Sequence, residues 1–344
     1  MIKKQFIHPI KRRIAKYYLI LLRKYFGLKV IGITGSAGKT TTKEMLASIL
    51  KLGGKTVYTV ANIDPVYNIP TTILKCNPKT NYLILEMGVE YPGEMDFYLW
   101  LAKPDIGVIM NIFPTHTEFF GDINGVFKEK SKLVLSLGKG DIAIMNFKDK
   151  TLKGLADKLK AKVFWFESDE DPLQQNANAA GKVAEVLKVR KESIKKGLKT
   201  YSRPEHRFEI IKTKSGAVIF DDSYNSNPEA LLATLRKFNK FAGKGIKVAV
   251  LGDMLELGKI EEDEHRRVGK EIAKSNFRVL IGVGSAVKFL ISEVDKYSKK
   301  TKTYLFIKPE EALPLLQTLL NRDTFVLIKG SRSIGLDKVV YNLT

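Results

Sequence analysis

Lys39 and Thr40 follow a turn in which glycines recur at positions 32, 35 and 38, and two more threonines come directly after them. A lysine and a hydroxyl just past a glycine-rich turn are the groups that hold a nucleotide's terminal phosphates and the Mg2+ that travels with them. Glycines at 35 and 38 let the backbone N–H groups of Gly35, Ser36, Ala37 and Gly38 turn towards an anion. A helix starting near Lys39 adds its positive end, with Thr40 and Thr41 in its first turn. The strict spacing of glycine, four residues and Gly-Lys-Thr is missed by one, because Ile33 stands where the first glycine belongs. Strand, turn, Gly-Lys-Thr and helix together still predict that nucleotide phosphates are held here, with Lys39 on the terminal phosphates and Thr40 on the metal.

Glu86 closes the apolar run "YLIL", so its carboxylate emerges at the carboxyl edge of a sheet, where open α/β folds bind ligands. His116 follows the run "DIGVIMNI" by a few residues and is expected at the same crevice. Thr40, Glu86 and His116 therefore form a candidate oxygen and nitrogen set for Mg2+ bridging the phosphates. Far along the chain, Lys329 and Arg332 in "KGSRS" stand at the end of another apolar run. Two cations there suit an acidic substrate or an amino acid's carboxylate, or simply face solvent.

Positioning these groups requires alternating strands and helices. Strand-like runs occupy 29–34, 55–60, 81–87, 105–112, 141–146 and 162–166, with amphipathic stretches such as "TTKEMLASILK" between them. Runs such as "YLILEM" lack polar alternation and predict strands covered on both faces, as in a parallel sheet. The alternation pauses after Pro204, where "RFEIIKTKSGAVIFDD" predicts a hairpin turning at Ser215-Gly216. A second series then follows at 247–253, 278–284, 302–308 and 324–330. The expected architecture is α/β: a basic amphipathic segment at 1–27, a central P-loop ATPase-type domain with a mostly parallel sheet at 28–202, and a Rossmann-like α/β domain at 203–344.

Composition narrows the class. With 44% hydrophobic and 28% charged residues the chain is too apolar for disorder, and a single cysteine, Cys76, excludes an internal disulfide framework and fits a reducing cytoplasm. The net charge is +21, and the first 27 residues hold eight Lys or Arg with no acid. A basic chain suits nucleic acid, anionic lipid or phosphorylated substrates. Nucleic acid is the lesser reading, since neither zinc-finger spacing nor an aromatic RNA-binding signature is present. The N-terminal segment is too short in apolar run to span a bilayer. Ile14, Tyr17, Tyr18, Leu21, Leu22 and Tyr25 recur at helical spacing, which describes either a helix lying on an anionic membrane surface or one packed on its own domain.

"GITGSAGKTTTKE" resembles the nucleotide loop of the Mur ligases, ATP-dependent amide-bond-forming enzymes of cell-wall precursor synthesis. "EMGVEYPGEM" (86–95), "DDSYNSNP" (221–228), "VLGDMLELG" (250–258) with His265, and "VLIKGSRS" (326–333) match further segments in the same order, most like the branch that adds D-alanyl-D-alanine. The resemblance implies metal roles for Glu86 and His116. It implies that Lys130 is carbamylated to give an extra anion beside the metal, although Lys132 stands where a glutamate is usual. It implies that Asn178 contacts adenine, although Gln174-Gln175 replace a His-Asn pair and Lys148 interrupts an Asn-x-Asp-Asp segment. Arg207 would reach ATP phosphate, Asp222 the ribose hydroxyls, and Tyr224 and Asn225 would face the nucleotide. Asn227 could equally be no more than a helix cap.

The implied chemistry is a carboxylate–amine ligation through an acyl phosphate, with ATP held by one domain and clamped by the other. Its partners would be a peptide precursor and an amino acid or dipeptide, handled by a monomer. Such enzymes usually carry a large N-terminal domain that grips a uridine-diphosphate sugar, and only about 28 residues precede the first strand here. A P-loop ATPase or kinase with no ligation step is the competing reading.

Overall fold

The structure is a computed structural model that describes residues 2–60 and 63–344, with side chains described from residue 9 onward. It divides into two units, residues 1–113 with 122–204, and residues 114–121 with 205–344.

In the first unit the expected strands form as β1 (Lys29–Thr34), β2 (Thr56–Tyr58), β3 (Tyr82–Glu86), β4 (Ile106–Ile109), β5 (Ile142–Asn146) and β6 (Lys162–Phe166). They make one sheet in the order β2-β3-β1-β4-β5-β6, every pairing parallel. Parallel neighbours need crossovers, which the chain supplies as helices. The unit's helices are α1 (Ile2–Phe26) ahead of β1, the crossovers α2 (Lys39–Leu50), α3 (Pro65–Ile73), α4 (Glu94–Ala102) and, past α5 (Thr117–Phe120) of the second unit, α6 (Ile123–Leu135) and α7 (Lys150–Ala156), and then α8 (Pro172–Val186) and α9 (Lys191–Thr200) after β6. Residues of α2 and α8 join Ile31, Ile33, Ile84, Val108 and Ile144 in one buried core. That burial explains why the strand sequences show no polar alternation.

Helix α1 corrects the expected apolar face. Ala15, Leu19 and Leu22 are buried, whereas Ile14, Tyr17, Leu21 and Tyr25 point outward. The helix rests on α3 and α4. It is fixed by Tyr18 donating to the carbonyl of Cys76 at 2.9 Å and by an ion pair of Arg23 with Asp105 at 2.8 Å. No helix among the described residues is long and apolar enough to cross a membrane.

The second unit opens with the predicted hairpin, β7 (Glu209–Lys212) antiparallel to β8 (Val218–Asp221). It continues through α10 (Pro228–Ala242), β9 (Ile246–Gly252), α11 (Glu261–Ala273), β10 (Val279–Val283), α12 (Val287–Tyr297), β11 (Lys302–Phe306), α13 (Leu313–Leu319), β12 (Thr324–Lys329) and α14 (Asp337–Leu343). The sheet order is β11-β10-β9-β12-β8-β7, parallel except at β7. One core holds residues of α10, α11 and α12, and another holds residues of α13 and α14.

The "VLGDMLELG" stretch builds this unit. Asp253, at the end of β9, accepts hydrogen bonds from the backbone N–H groups of Ser285, Ala286 and Val287 at 2.7–3.0 Å and so holds the start of α12. His265 is fully buried; its Nε2 accepts from the Met254 N–H at 3.1 Å, which leaves Nδ1 to donate to the carbonyl of Glu261 at 2.7 Å. Asn227 caps α10, its side chain accepting from the Ala230 N–H at 2.9 Å.

Candidate active site

The turn between β1 and α2 is held in one shape from both sides. Gly35 has φ 146° and Gly38 φ 84°, regions that exclude most other residues. A Cβ at Gly35 would lie 2.8 Å from Cβ of Met110, and one at Gly38 would lie 2.3 Å from Oδ1 of Asn176. The Asn111 side chain brackets Ala37, accepting from its N–H at 2.8 Å and donating to its carbonyl at 3.2 Å. The Ser36 N–H donates to the Asn111 carbonyl at 3.1 Å, and the Ser36 hydroxyl donates to the Phe113 carbonyl at 2.9 Å. Lys39 donates from Nζ to the Gly35 carbonyl at 2.9 Å, so its ammonium lies back over the turn, and Thr41 is buried in the first turn of α2.

Glu86 ends β3 beside this helix start. Its Oε1 accepts from the Thr40 hydroxyl at 2.8 Å, and its Oε2 lies 3.5 Å from Nζ of the fully buried Lys43. Its backbone N–H is fixed by the Thr59 hydroxyl at 3.0 Å. A hydroxyl and a carboxylate in contact beside a phosphate turn are hard oxygen donors of the kind Mg2+ takes together with substrate phosphates.

Lys130 is 1% exposed on α6. Burial, and then the charge of Lys39, push its amine down to about 7, with Glu129, Glu94 and Glu90 acting the other way. An amine near that value is substantially neutral at physiological pH and is a nucleophile. Lys132, two residues on, points elsewhere: it pairs with Asp96 at 2.6 Å and Glu129 at 2.7 Å. Glu129 in turn accepts from the backbone N–H groups of Gly93 and Met95, anchoring the start of α4.

His116 belongs to the second unit, in the short segment 114–121. Its backbone is left-handed, with φ 55°, and its Nδ1 bonds to the carboxylate of Glu256. Of the expected metal set, then, the first unit itself brings Thr40 and Glu86 together, and His116 is held by an acid that sequence reading did not pair with it.

At the carboxyl edge of the second sheet, Arg207 lies over the Tyr224 ring at 4.1 Å and Arg332 approaches the same ring at 5.5 Å. Arg332 also pairs with Asp337 at 2.8 Å. Asp222 and Lys329, expected at the ribose and at a substrate carboxylate, meet each other in a buried pair at 2.6 Å. Lys329 further donates to the carbonyl of Asn225 at 2.9 Å, and the Thr234 hydroxyl donates to Asp222 at 2.7 Å. The Asn225 side chain is exposed and accepts from the Ser226 N–H. Removing one member of a buried pair strands the other charge away from water. Asp222→Ala is expected to cost about 3–5 kcal/mol of unfolding free energy in urea titrations; a loss below about 1 kcal/mol would mean that Lys329 needs no partner.

Two family descriptions cover these two parts of the chain. Residues 33–210 match the Mur ligase middle domain, and residues 206–332 match the Mur ligase, glutamate ligase domain. The chain belongs to the Mur ligase family. Among its relatives, the UDP-N-acetylmuramoyl-tripeptide–D-alanyl-D-alanine ligase of Buchnera aphidicola subsp. Baizongia pistaciae is 32% identical over 361 residues, spanning 94% of this chain and 76% of that protein. The protein of the same name from Bacillus subtilis is 28% identical, over 96% of this chain and 78% of its own length. In structure, the chain is similar to MurF from Acinetobacter baumannii, with a TM-score of 0.87 at 27% identity over 98% of this chain and 80% of that one. It is similar also to a MurF ligase from Thermotoga maritima solved with ADP, with a TM-score of 0.81 at 25% identity over 95% and 82% of the two chains.

Within this Mur ligase, the expected adenine residue Asn178 is engaged locally on α8, accepting from Gln174 at 2.8 Å and donating to the Glu167 carbonyl at 3.0 Å. Two residues earlier, the buried Asn176 is the one pressed against Gly38. Asn176 and Asn111 shape the turn, Lys43 lies beside Glu86, and all three went unremarked in sequence. For Asn176, its spacing from Asn178 was the only signal: two residues apart on a helix point to different faces.

Proposed function

We propose that this Mur ligase is an ATP-dependent, ADP-forming carboxylate–amine ligase that joins D-alanyl-D-alanine to a peptide precursor of the cell wall. The observation that carries the reading is the grouping of a glycine-built phosphate turn, the Thr40–Glu86 oxygen pair and the buried amine of Lys130 within electrostatic reach of Lys39. A simple ATPase has no evident use for a desolvated lysine in that position.

In this reading the turn from Gly35 to Thr41 holds the phosphates by backbone N–H groups, and Lys39 swings from the Gly35 carbonyl to the terminal phosphate. A carboxylate oxygen of the peptide attacks the γ-phosphorus, the bond from that phosphorus to the bridging oxygen breaks, and ADP leaves with its electron pair. The amine of the incoming dipeptide then attacks the acyl carbon, a proton is lost from nitrogen, and phosphate departs as the amide forms. Charge grows on phosphate oxygens in the first step, and Lys39 is placed to meet it.

Thr40 and Glu86 would hold Mg2+, which when bound neutralises phosphate charge. Neutral Lys130 captures carbon dioxide, losing a proton as the carbamate forms, and so adds an anion within electrostatic reach of Lys39. Arg207 and Arg332, both set against the Tyr224 ring, provide the second unit's cationic surface for an anionic group of the reactants, with Asn225 exposed beside them.

Phosphate release from Mg-ATP is the direct test, with muramyl peptides offered with and without their nucleotide, and each with and without D-alanyl-D-alanine. Release that requires both a peptide acid and the dipeptide is expected. Release needing only one acceptor would make the protein a kinase, and release needing neither would make it an ATPase.

A further inference from the structure

Helix α1 rests on the first unit through Ala15, Leu19 and Leu22, yet the face it turns outward is apolar as well. Ile10, Ile14, Tyr17, Leu21 and Tyr25 follow at helical spacing and are 59%, 54%, 68%, 44% and 66% exposed. A helix lying on a soluble domain ordinarily turns polar side chains to water, and a continuous apolar row marks a surface that meets something.

Charge says what. Helix α1 contains no Asp or Glu. Four of its cations are committed inward: Lys11 donates to the Thr71 hydroxyl, Arg23 pairs with Asp105, and Arg12 and Lys16 lie over the rings of Phe97 and Trp100. These contacts fix which face is left outside. Arg13 and Lys24 stand exposed beside the apolar row. Where the helix ends, an open cavity of about 400 Å³ is lined by Ile20, Lys24, Leu28 and Lys29 together with the Arg23–Asp105 pair. Trp100, on neighbouring α4, is 45% exposed. Apolar side chains, aromatic rings and lysines around one helix are the elements by which a protein rests in the headgroup layer of a membrane.

We infer that the outer face of α1 seats this enzyme on an anionic phospholipid bilayer. The apolar row enters the headgroup region, and Arg13, Lys24 and Lys29 meet lipid phosphates. A second copy of the chain fits worse, because pairing α1 with α1 sets cations against cations with no acid on the helix to offset them. Each element is modest alone, so attachment is reversible and needs anionic lipid. The inference is independent of which ligation the enzyme performs.

Flotation of the full chain with vesicles of phosphatidylcholine alone, or mixed with phosphatidylglycerol, tests it. The protein is expected to rise with the mixed vesicles only, and to be released by salt. Ile14→Asp with Tyr17→Asp is expected to cut recovery about tenfold or more, while melting temperature and nucleotide-dependent phosphate release stay those of the parent. Arg13→Glu with Lys24→Glu should do the same. Absence of the parent from the floated fraction, or equal recovery on phosphatidylcholine alone, would overturn the inference. So would a dimer in light scattering that the Ile14→Asp, Tyr17→Asp chain loses while lipid binding is missing.

Discussion

Lys39→Ala is expected to reduce ATP-dependent phosphate release on the order of 10³-fold or more, in kcat rather than in KM alone. The ammonium in the parent donates to the Gly35 carbonyl, a contact within its own turn that is free to be exchanged for a phosphate oxygen. Its charge is worth most when the transferred phosphoryl group carries its greatest charge, so its loss falls on the transition state. The turn itself is held by Gly35, Gly38, Asn111 and the Ser36 bonds, none of which needs Lys39. Thermal unfolding of the variant should therefore stay close to that of the parent. A fall in melting temperature that tracks the loss of activity would instead make Lys39 a structural residue. Retention of the parent's rate would remove the phosphate turn from the reaction.

Lys130→Met should separate activity from stability in opposite directions. The loss of the nucleophilic amine, and of the carbamate made from it, is expected to lower kcat roughly 10²–10³-fold. Stability should rise, because a methionine of similar length carries no charge to be desolvated. The sign follows from the amine's pKa, about 7 in the folded chain against an ordinary 10.5. Between those values the unfolded chain binds a proton that the folded chain does not, so the parent's stability increases with pH across that window. Below about 7 both states are protonated, and the folded chain bears the full cost of a buried ammonium. In carbon dioxide-free buffer the stabilisation by Lys130→Met is expected to be greatest, a few kcal/mol, on the acid side and to vanish towards pH 10.5. Paired urea titrations at the two ends of the window check it; a gap that is constant with pH would mean that the amine is not desolvated. Activity of the parent, restored by bicarbonate, should rise through about pH 7 as the amine becomes neutral.

Glu129 holds the departure at Lys132 apart from Lys130. The two neighbours sit on the same helix, but Lys132 is drawn to Asp96 and Glu129 while Lys130 stays buried. The partner of Lys132 is thus an acid on α4, a contact 36 residues away in the chain.

The chain's own order of residues determined most of the frame. Continuous apolar runs specified the parallel strands, Gly35 and Gly38 specified a turn no other residue type fits, and Gly216 specified the hairpin corner, because each depends on neighbours within a few residues. Tertiary structure alone decided how the polar groups are spent. Lys329 and Asp222, 107 residues apart, meet in a buried pair. His116 goes to Glu256, 140 residues on. Asn176 rather than Asn178 meets the phosphate turn, since only the packing of α8 against α2 selects the face. For α1 the sequence offers apolar residues on more than one side, and Asp105, Cys76 and the rings of α4 choose which side is buried. A backbone preference is local and can be read in place, whereas a buried charge or a half-apolar helix takes its lowest free energy from partners that only the folded chain brings near.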